Sequence, residues 1–341
     1  MSAPSTPSIR LSAVSLGLLL LSLVFLPGCG GEQDTTTLRL GHGMAPSHPV
    51  SKGMRYFAEQ VDSLSGGQME VRIYPSEQLG TERQCLELLQ IGSLDMTKVS
   101  SAVLEGFSHD YRVFGLPYIF RNDTHRFNIL EGEIGREILM SGRDVWLRGL
   151  TYYDAGSRSF YTANTPIRKP SDLNGLKIRV QQSPVAIQMI QELGGQPTPI
   201  SFGELYTALQ QGVVDGAENN PPSLHSTRHY ELVDYYSLDE HTSPPDVMLI
   251  STHTWDKLSD QEREWIQTAA DLSLQRQKKL WRKAEKEAMR VIKEAGVKII
   301  RPDKSAFVEA VQPLYEQYKK NQPRVYELLQ RIRNYNASDD T

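Results

Sequence analysis

The chain has 341 residues, a formal net charge of −4 and 23% charged residues, an ordinary make-up for a globular protein large enough for two lobes. This balance leaves no basic surface of the kind that nucleic acid requires, so no nucleic-acid partner is expected.

The first thirty residues stand apart. Residues 11–25, LSAVSLGLLLLSLVF, are uncharged and apolar, with Arg10 before them and Leu26-Pro27-Gly28-Cys29 after them. Fifteen residues are too few to span a bilayer comfortably and fit the apolar core of a secretory signal. The tetrapeptide ending in Cys29 resembles a bacterial lipobox, in which cleavage precedes the cysteine and that cysteine carries a lipid. A signal peptide over 1–28 and a membrane anchor at Cys29 are therefore expected. An ordinary signal with an incidental cysteine is the alternative, and both imply export. With Cys29 lipidated, Cys85 has no partner for a disulfide, and its spacing with Leu88 and Leu89 suggests a buried helical position rather than a reactive thiol.

After a polar linker over 29–37, strand and helix patterns alternate. LRLGHG at 38–43 reads as a strand, 47–64 as a helix, QMEVRIY at 68–74 as a strand, 81–91 as a helix and LDMTKVS at 94–100 as a strand. This β-α-β order implies parallel strands with helices on the sheet faces. The pattern returns with the strand LKIRV. Ser183-Pro184 then supplies an N-cap and a first helical residue, Val185, Met189, Ile190 and Leu193 share one face, and Gly194-Gly195 ends the helix. PTPIS follows, then a capping box at Ser201–Glu204 opening a helix that carries Leu205 and Leu209, with Gly212 closing it and VVDG as the next strand.

LQIGSLDM at 89–96 and LQQGVVDG at 209–216 share Leu-Gln-x-Gly-x-x-Asp, each at a helix-to-strand junction. Two lobes of one plan would offer their strand ends to a shared cleft, where ligands of open α/β sheets bind. From Leu258 to Ala295 the chain reads as one long helix. Trp281, Ala284, Ala288, Val291 and Ala295 mark its inner face, and its basic face is read as solvated.

Signatures of catalysis are missing: no Gly-x-Ser-x-Gly, no Walker loop and no His-Glu-x-x-His. GHGMAP at 41–46 has Pro46 where a dinucleotide fingerprint needs its third glycine. His225 and His229 lack further metal ligands nearby and read as surface residues. Asp239 and Glu240 are adjacent and so point apart. Neither a metal nor a cofactor is expected. What remains is Arg179, set in an apolar strand, with Gln181 beside it, Glu218, Asn219 and Asn220 on the neighbouring element, and Arg158 in DAGSRSFY. A guanidinium offers a flat fork that fits a carboxylate, so Arg179 either answers Glu218 or awaits an organic acid.

GLKIRV, GGQPTPISFGELYTALQQGVVDGAEN and QLGTERQCLELLQIGSLDM together resemble the solute-binding proteins of tripartite ATP-independent periplasmic (TRAP) transporters, over about residues 38–328. The resemblance implies an α/β fold of two lobes with crossing segments and a long bracing helix. Here the first lobe would be 38–155 with about 236–257, the second 156–235 with about 296–330, and the brace 258–295. It implies that Arg179 holds the solute carboxylate, Asn219 is a second carboxylate partner and Phe202 packs on the solute. Arg158 is the candidate for a second cleft arginine, offset by one residue. Glu82 and Ser100 would face the solute from the first lobe.

DGAENNPPS and YYSLDEHTSPPDVMLIST look most similar to the subgroup that binds uronic acids, and His42, Glu82, Gln181 and Asp246 would suit a hydroxylated ligand. The function so implied is capture of D-glucuronate or D-galacturonate outside the cytoplasm and its delivery to a two-component membrane permease, by a monomer and without bond-making. A C4-dicarboxylate ligand is the alternative within the family and would need a second cation, a role open to Arg158. An exported enzyme acting on sugar acids is the alternative of another class.

Overall fold

The computed structural model describes residues 1–3 and 35–336. The apolar segment 11–25, Cys29 and most of the 29–37 linker fall outside the described residues. Eleven strands are described: β1 (Thr36–His42), β2 (Met69–Tyr74), β3 (Met96–Ser100), β4 (Leu147–Tyr153), β5 (Arg158–Thr162), β6 (Lys177–Val180), β7 (Gln196–Pro199), β8 (Gly216–Asn219), β9 (Tyr235–Thr242), β10 (Asp246–Ser251) and β11 (Lys298–Ile300). They form two sheets, ordered β2-β1-β3-β10-β4 and β11-β9-β5-β8-β6-β7. In the first, β1 pairs in parallel with β2 and β3, while β10 runs antiparallel between β3 and β4. In the second, β6 pairs in parallel with β7 and β8, and β5 runs antiparallel between β8 and β9. The two sheets thus repeat one plan: three parallel strands and an antiparallel strand beside them.

The shared Leu-Gln-x-Gly-x-x-Asp stretch has one physical job in both lobes. Gly92 (φ 71°) and Gly212 (φ 66°) turn the chain through the left-handed region at a helix end. The aspartate then anchors the neighbouring parallel strand: Asp95 Oδ2 accepts the Arg39 N–H at 2.9 Å, and Asp215 Oδ2 accepts the Lys177 N–H at 2.8 Å. The Asp215 N–H also donates to the Lys177 carbonyl at 2.8 Å. Pairing is fixed before the strand begins, which is why β8 spans Gly216–Asn219 rather than the expected 213–216.

The chain leaves the first sheet between Tyr153 and Arg158, returns between Thr242 and Asp246, and crosses again through the 35-residue helix Asp260–Glu294. Residues 236–242, expected with the first lobe, therefore lie in the second sheet, where Tyr236 pairs with Tyr161 of β5. The C-terminal helix Pro323–Asn334, much of it expected with the second lobe, packs on the first. It buries Val325, Leu328, Leu329 and Ile332, its Arg331 bonds Glu137 at 2.7 Å, and the Ile332 carbonyl meets His125 Nε2 at 2.9 Å.

The long helix opens on a capping box between Ser259 and Glu262 and spans about 52 Å at 1.5 Å per residue. Ile266, Ala269, Ala270, Leu274, Trp281, Ala288 and Ile292 are buried along it, whereas Ala295 is exposed just past its end. Gln277, also buried, clamps the first crossing segment: its Oε1 accepts the Asp154 N–H at 2.9 Å, and its Nε2 donates to the Asp154 carbonyl at 2.8 Å. One apolar cluster is common to both lobes. It joins Phe114 and Leu116 to Ile178, Val180 and Val185 and to the C-terminal helices.

Candidate binding site

The carboxyl ends of β1, β3, β6 and β8 converge between the lobes on a cavity of about 30 Å³. β3 ends in Ser100, which caps the helix Ser101–Leu104. β8 is followed by Asn220, which caps the helix Pro221–Ser226. Of the residues expected at the site, Glu82, Ser100, Arg158, Arg179, Gln181, Phe202, Asn219 and Asp246 line this cavity. His42 does not. It shares a strand face with Leu38 and Leu40, which pack into the core under the helix Pro49–Ser65, and its Nδ1 accepts the Met44 N–H at 3.1 Å. Burial, with Lys98 beside it, pushes its pKa down to about 3.

Charge accounting separates the three cations of the cavity wall. Three residues beyond each repeat aspartate stand Lys98 and Glu218, and the antiparallel strands beside them begin with Asp246 and Arg158. Lys98 Nζ lies 3.0 Å from Glu82 Oε1 and 3.1 Å from Asp246 Oδ1, with no exposed side-chain surface. Arg158 grips both Glu218 carboxylate oxygens, and its Nη1 donates to Asn219 Oδ1 at 2.9 Å. Burial alone would raise the Glu218 carboxyl, but Arg158 and His241 hold it down to about 2.

Arg179 is different. It is 2% exposed, its Nε donates to the Ile200 carbonyl at 2.8 Å, and its Nη1 is buried without a partner. The pairing of Arg179 with Glu218 is thereby excluded, because Arg158 takes that carboxylate. Among the described residues lining the cavity, Arg179 is the one cation with no carboxylate partner. Burial lowers its pKa, the mark of a charge awaiting compensation. The first-lobe end carries the converse, two carboxylates on one lysine, and burial pushes Asp246 up to about 6 despite Lys98.

Several lining residues escaped the sequence reading. Lys98 repeats the signal that revealed Arg179, a charge inside an apolar strand, and sits at the repeat position of Glu218. His48 caps the helix Pro49–Ser65 through Nδ1, and its ring lies 5.9 Å from that of Trp281, which reaches the cavity from the long helix. His48-Pro49 is the same cap-and-proline pair as Ser183-Pro184. His229, expected at the surface, is buried, its Nδ1 3.0 Å from the Tyr161 hydroxyl and its ring 6.2 Å from Phe202. Cys85 is buried on its helix, and burial pushes the thiol up to about 11. A larger groove of about 1050 Å³ lies beyond the crossing segments. Its Arg126–Asp154 and Lys304–Glu240 pairs are internally satisfied.

Residues 40–321 match the family model of the bacterial extracellular solute-binding protein, family 7 (DctP). The chain belongs to this family. Solved relatives agree with the match. A TRAP periplasmic solute-binding protein from Bradyrhizobium sp. BTAi1, in complex with α/β-D-galacturonate, is 38% identical with a TM-score of 0.85, covering 88% of this chain and 100% of that one. A counterpart from Chromohalobacter salexigens with bound D-glucuronate is 34% identical, also with a TM-score of 0.85, over 87% and 99%. The Salmonella typhimurium protein YiiZ is 40% identical over 87% of this chain and 91% of its own. This is thus an extracytoplasmic TRAP solute-binding protein, which binds a small organic acid and works with a TRAP membrane permease.

Proposed function

We propose that the cleft captures a hexuronate, D-glucuronate or D-galacturonate, with its carboxylate on Arg179 and its hydroxyls toward Glu82, Ser100, Gln181 and Asp246. Asn219 serves as a second carboxylate partner and Phe202 packs on the ring. The observation that carries this reading is the single uncompensated guanidinium, Arg179, facing a wall whose other two cations are already paired. A C4-dicarboxylate needs a second free cation. Arg158 is committed to Glu218, and Lys98 is shared between Glu82 and Asp246. The uronate complexes of the solved relatives support the same assignment.

Calorimetric titration with glucuronate, galacturonate and succinate tests it. A hydrogen bond to a charged group contributes roughly 1.5–3 kcal/mol, so Glu82→Ala is expected to cost a uronate about that much. Succinate should lose little or gain, because a carboxylate opposing its second anionic group is removed. Tighter binding of succinate than of either uronate by the wild type sinks the sugar-acid assignment. Conversion of glucuronate on prolonged incubation would instead favour an enzyme. The mature chain is proposed to act as a monomer held to the membrane through lipidated Cys29. Cell fractionation checks the anchor: Cys29→Ser should move the protein to the soluble fraction, and an unchanged distribution removes it.

A further inference from the structure

The turn that follows β2 places two successive non-glycine residues, Ser76 and Glu77, in the left-handed region, at φ 56° and 59°. L side chains adopt this conformation only where surrounding contacts impose it. Here the Ser76 N–H donates to the Met44 carbonyl at 3.2 Å and the Glu77 N–H to the His42 carbonyl at 3.1 Å, pinning the turn to the chain that leaves β1. So held, the Glu77 side chain crosses to the other lobe. Its Oε1 accepts the N–H of Gly203 at 3.2 Å. Gly203 is exposed on the cleft rim and follows Phe202, which lines the cavity. A Cβ at Gly203 would sit 2.9 Å from Glu77 Cδ and collide with Oε2, the carboxylate oxygen that does not take the Gly203 N–H, so the carboxylate must move. Gly203 is not itself in the left-handed region, so alanine there meets no backbone objection. The other contacts between the lobes nearby, Ser100 Oγ with Gln181 at 3.4 Å and Glu105 Oε2 with Ser183 Oγ at 2.7 Å, lie deeper in the seam.

We propose that Glu77 is a latch of the closed cleft: a turn held in a strained conformation on the first lobe captures the Gly203 amide of the second and slows release of the bound acid. The latch rests on the proposed capture function for its ligand, though not for its geometry. The expected capping box does not form beside it: the Ser201 hydroxyl donates to the Glu204 carboxylate rather than accepting the Glu204 N–H, and the helix begins at Leu205.

Release of D-glucuronate, followed by stopped-flow fluorescence of Trp281 at the cavity wall, tests the latch in four proteins. Glu77→Ala and Gly203→Ala are each expected to speed release about three- to tenfold with little change in the rate of capture. The double variant should be no faster than Glu77→Ala, since the added methyl has nothing left to strike. Glu77→Gln, whose amide oxygen still accepts the Gly203 N–H, should stay within about twofold of wild type. Additive effects, or release unchanged in both single variants, overturn the latch. If the wild type does not bind glucuronate, the proposed function fails by itself. The same cycle is then read on the release of succinate, the alternative ligand, where release unchanged in both single variants overturns the latch independently.

Discussion

Two buried arginines 21 residues apart show how context divides one chemistry into two roles. Arg158 spends four guanidinium hydrogen bonds on the Glu218 carboxylate, the Glu218 carbonyl and Asn219, whereas Arg179 keeps a buried Nη1 free. Removing one partner of a buried ion pair leaves the other uncompensated, at a cost of about 3–5 kcal/mol. Arg158→Ala should therefore lower the melting temperature of the ligand-free protein by several degrees. Arg179→Ala relieves an unpaired charge, so its ligand-free melting temperature should hold or rise while uronate affinity falls more than tenfold. Arg179→Lys should recover only part of that affinity, because an ammonium cannot form the planar fork. Equal destabilisation by the two alanine variants would contradict this division of roles. Arg179 was legible because a charge interrupts LKIRV. Its freedom from Glu218 was not, since that depends on Arg158 reaching the carboxylate first, across 60 residues of sequence. Lys98 hid for a similar reason: its second partner, Asp246, lies 148 residues away.

Among the elements, the antiparallel strands that flank the parallel ones carry charges the local pattern does not reveal. β9 brings Asp239 and His241 against Glu218 of β8, with His241 Nδ1 2.8 Å from Asp239 Oδ2 and Nε2 3.5 Å from Glu218 Oε2. Burial opposes the imidazolium, yet Asp239 and Glu218 prevail and push His241 up to about 9. Across the lobes, Glu105 accepts from Ser183 Oγ and the Val185 N–H with its other oxygen unpartnered, and burial pushes it up to about 8. Both folded values lie above the unfolded ones, so the folded protein holds more protons than the unfolded chain. The histidine contribution is complete below about 6.5 and fades as pH rises toward 9. That of Glu105 fades from about 4.5 to 8. His42, His48 and His229, pushed down to about 3, are neutral in both states above pH 7.5 and do not oppose the trend. The melting temperature is thus expected to fall between pH 7 and 8.5. Glu105→Gln, which keeps an acceptor for Ser183 and Val185, should flatten that fall, and an unchanged slope would show that Glu105 does not titrate there. None of these groups was visible as a cluster in the sequence. The parallel strands were, because apolar runs and the repeated aspartate announce them, although VVDG marked the anchor of its strand rather than the strand.

For the molecule as a whole, the repeat foretold two lobes and a shared cleft. The course of the chain between them depended on which strand β9 pairs with, a long-range choice that periodicity does not encode. The resulting connections suit a hinge. Crossing segments 154–157 and 243–245 are short, Gln277 holds Asp154 by both backbone groups, and the apolar cluster shared by the lobes keeps them in register. The cavity of about 30 Å³ is too small to admit a six-carbon acid without the lobes parting. Capture must then begin from a more open arrangement and end in one where Arg179 and the carboxylate are shielded from water, which strengthens their attraction. Small-angle scattering should report a smaller radius of gyration with saturating glucuronate than without it. In Arg179→Ala, at the same ligand concentration and below its weakened affinity, that contraction should vanish, since the charge that rewards closure is gone. A wild type that binds glucuronate with no change in its scattering profile would mean that the lobes are already shut before the ligand arrives, and that the solute enters by local motion of the rim alone.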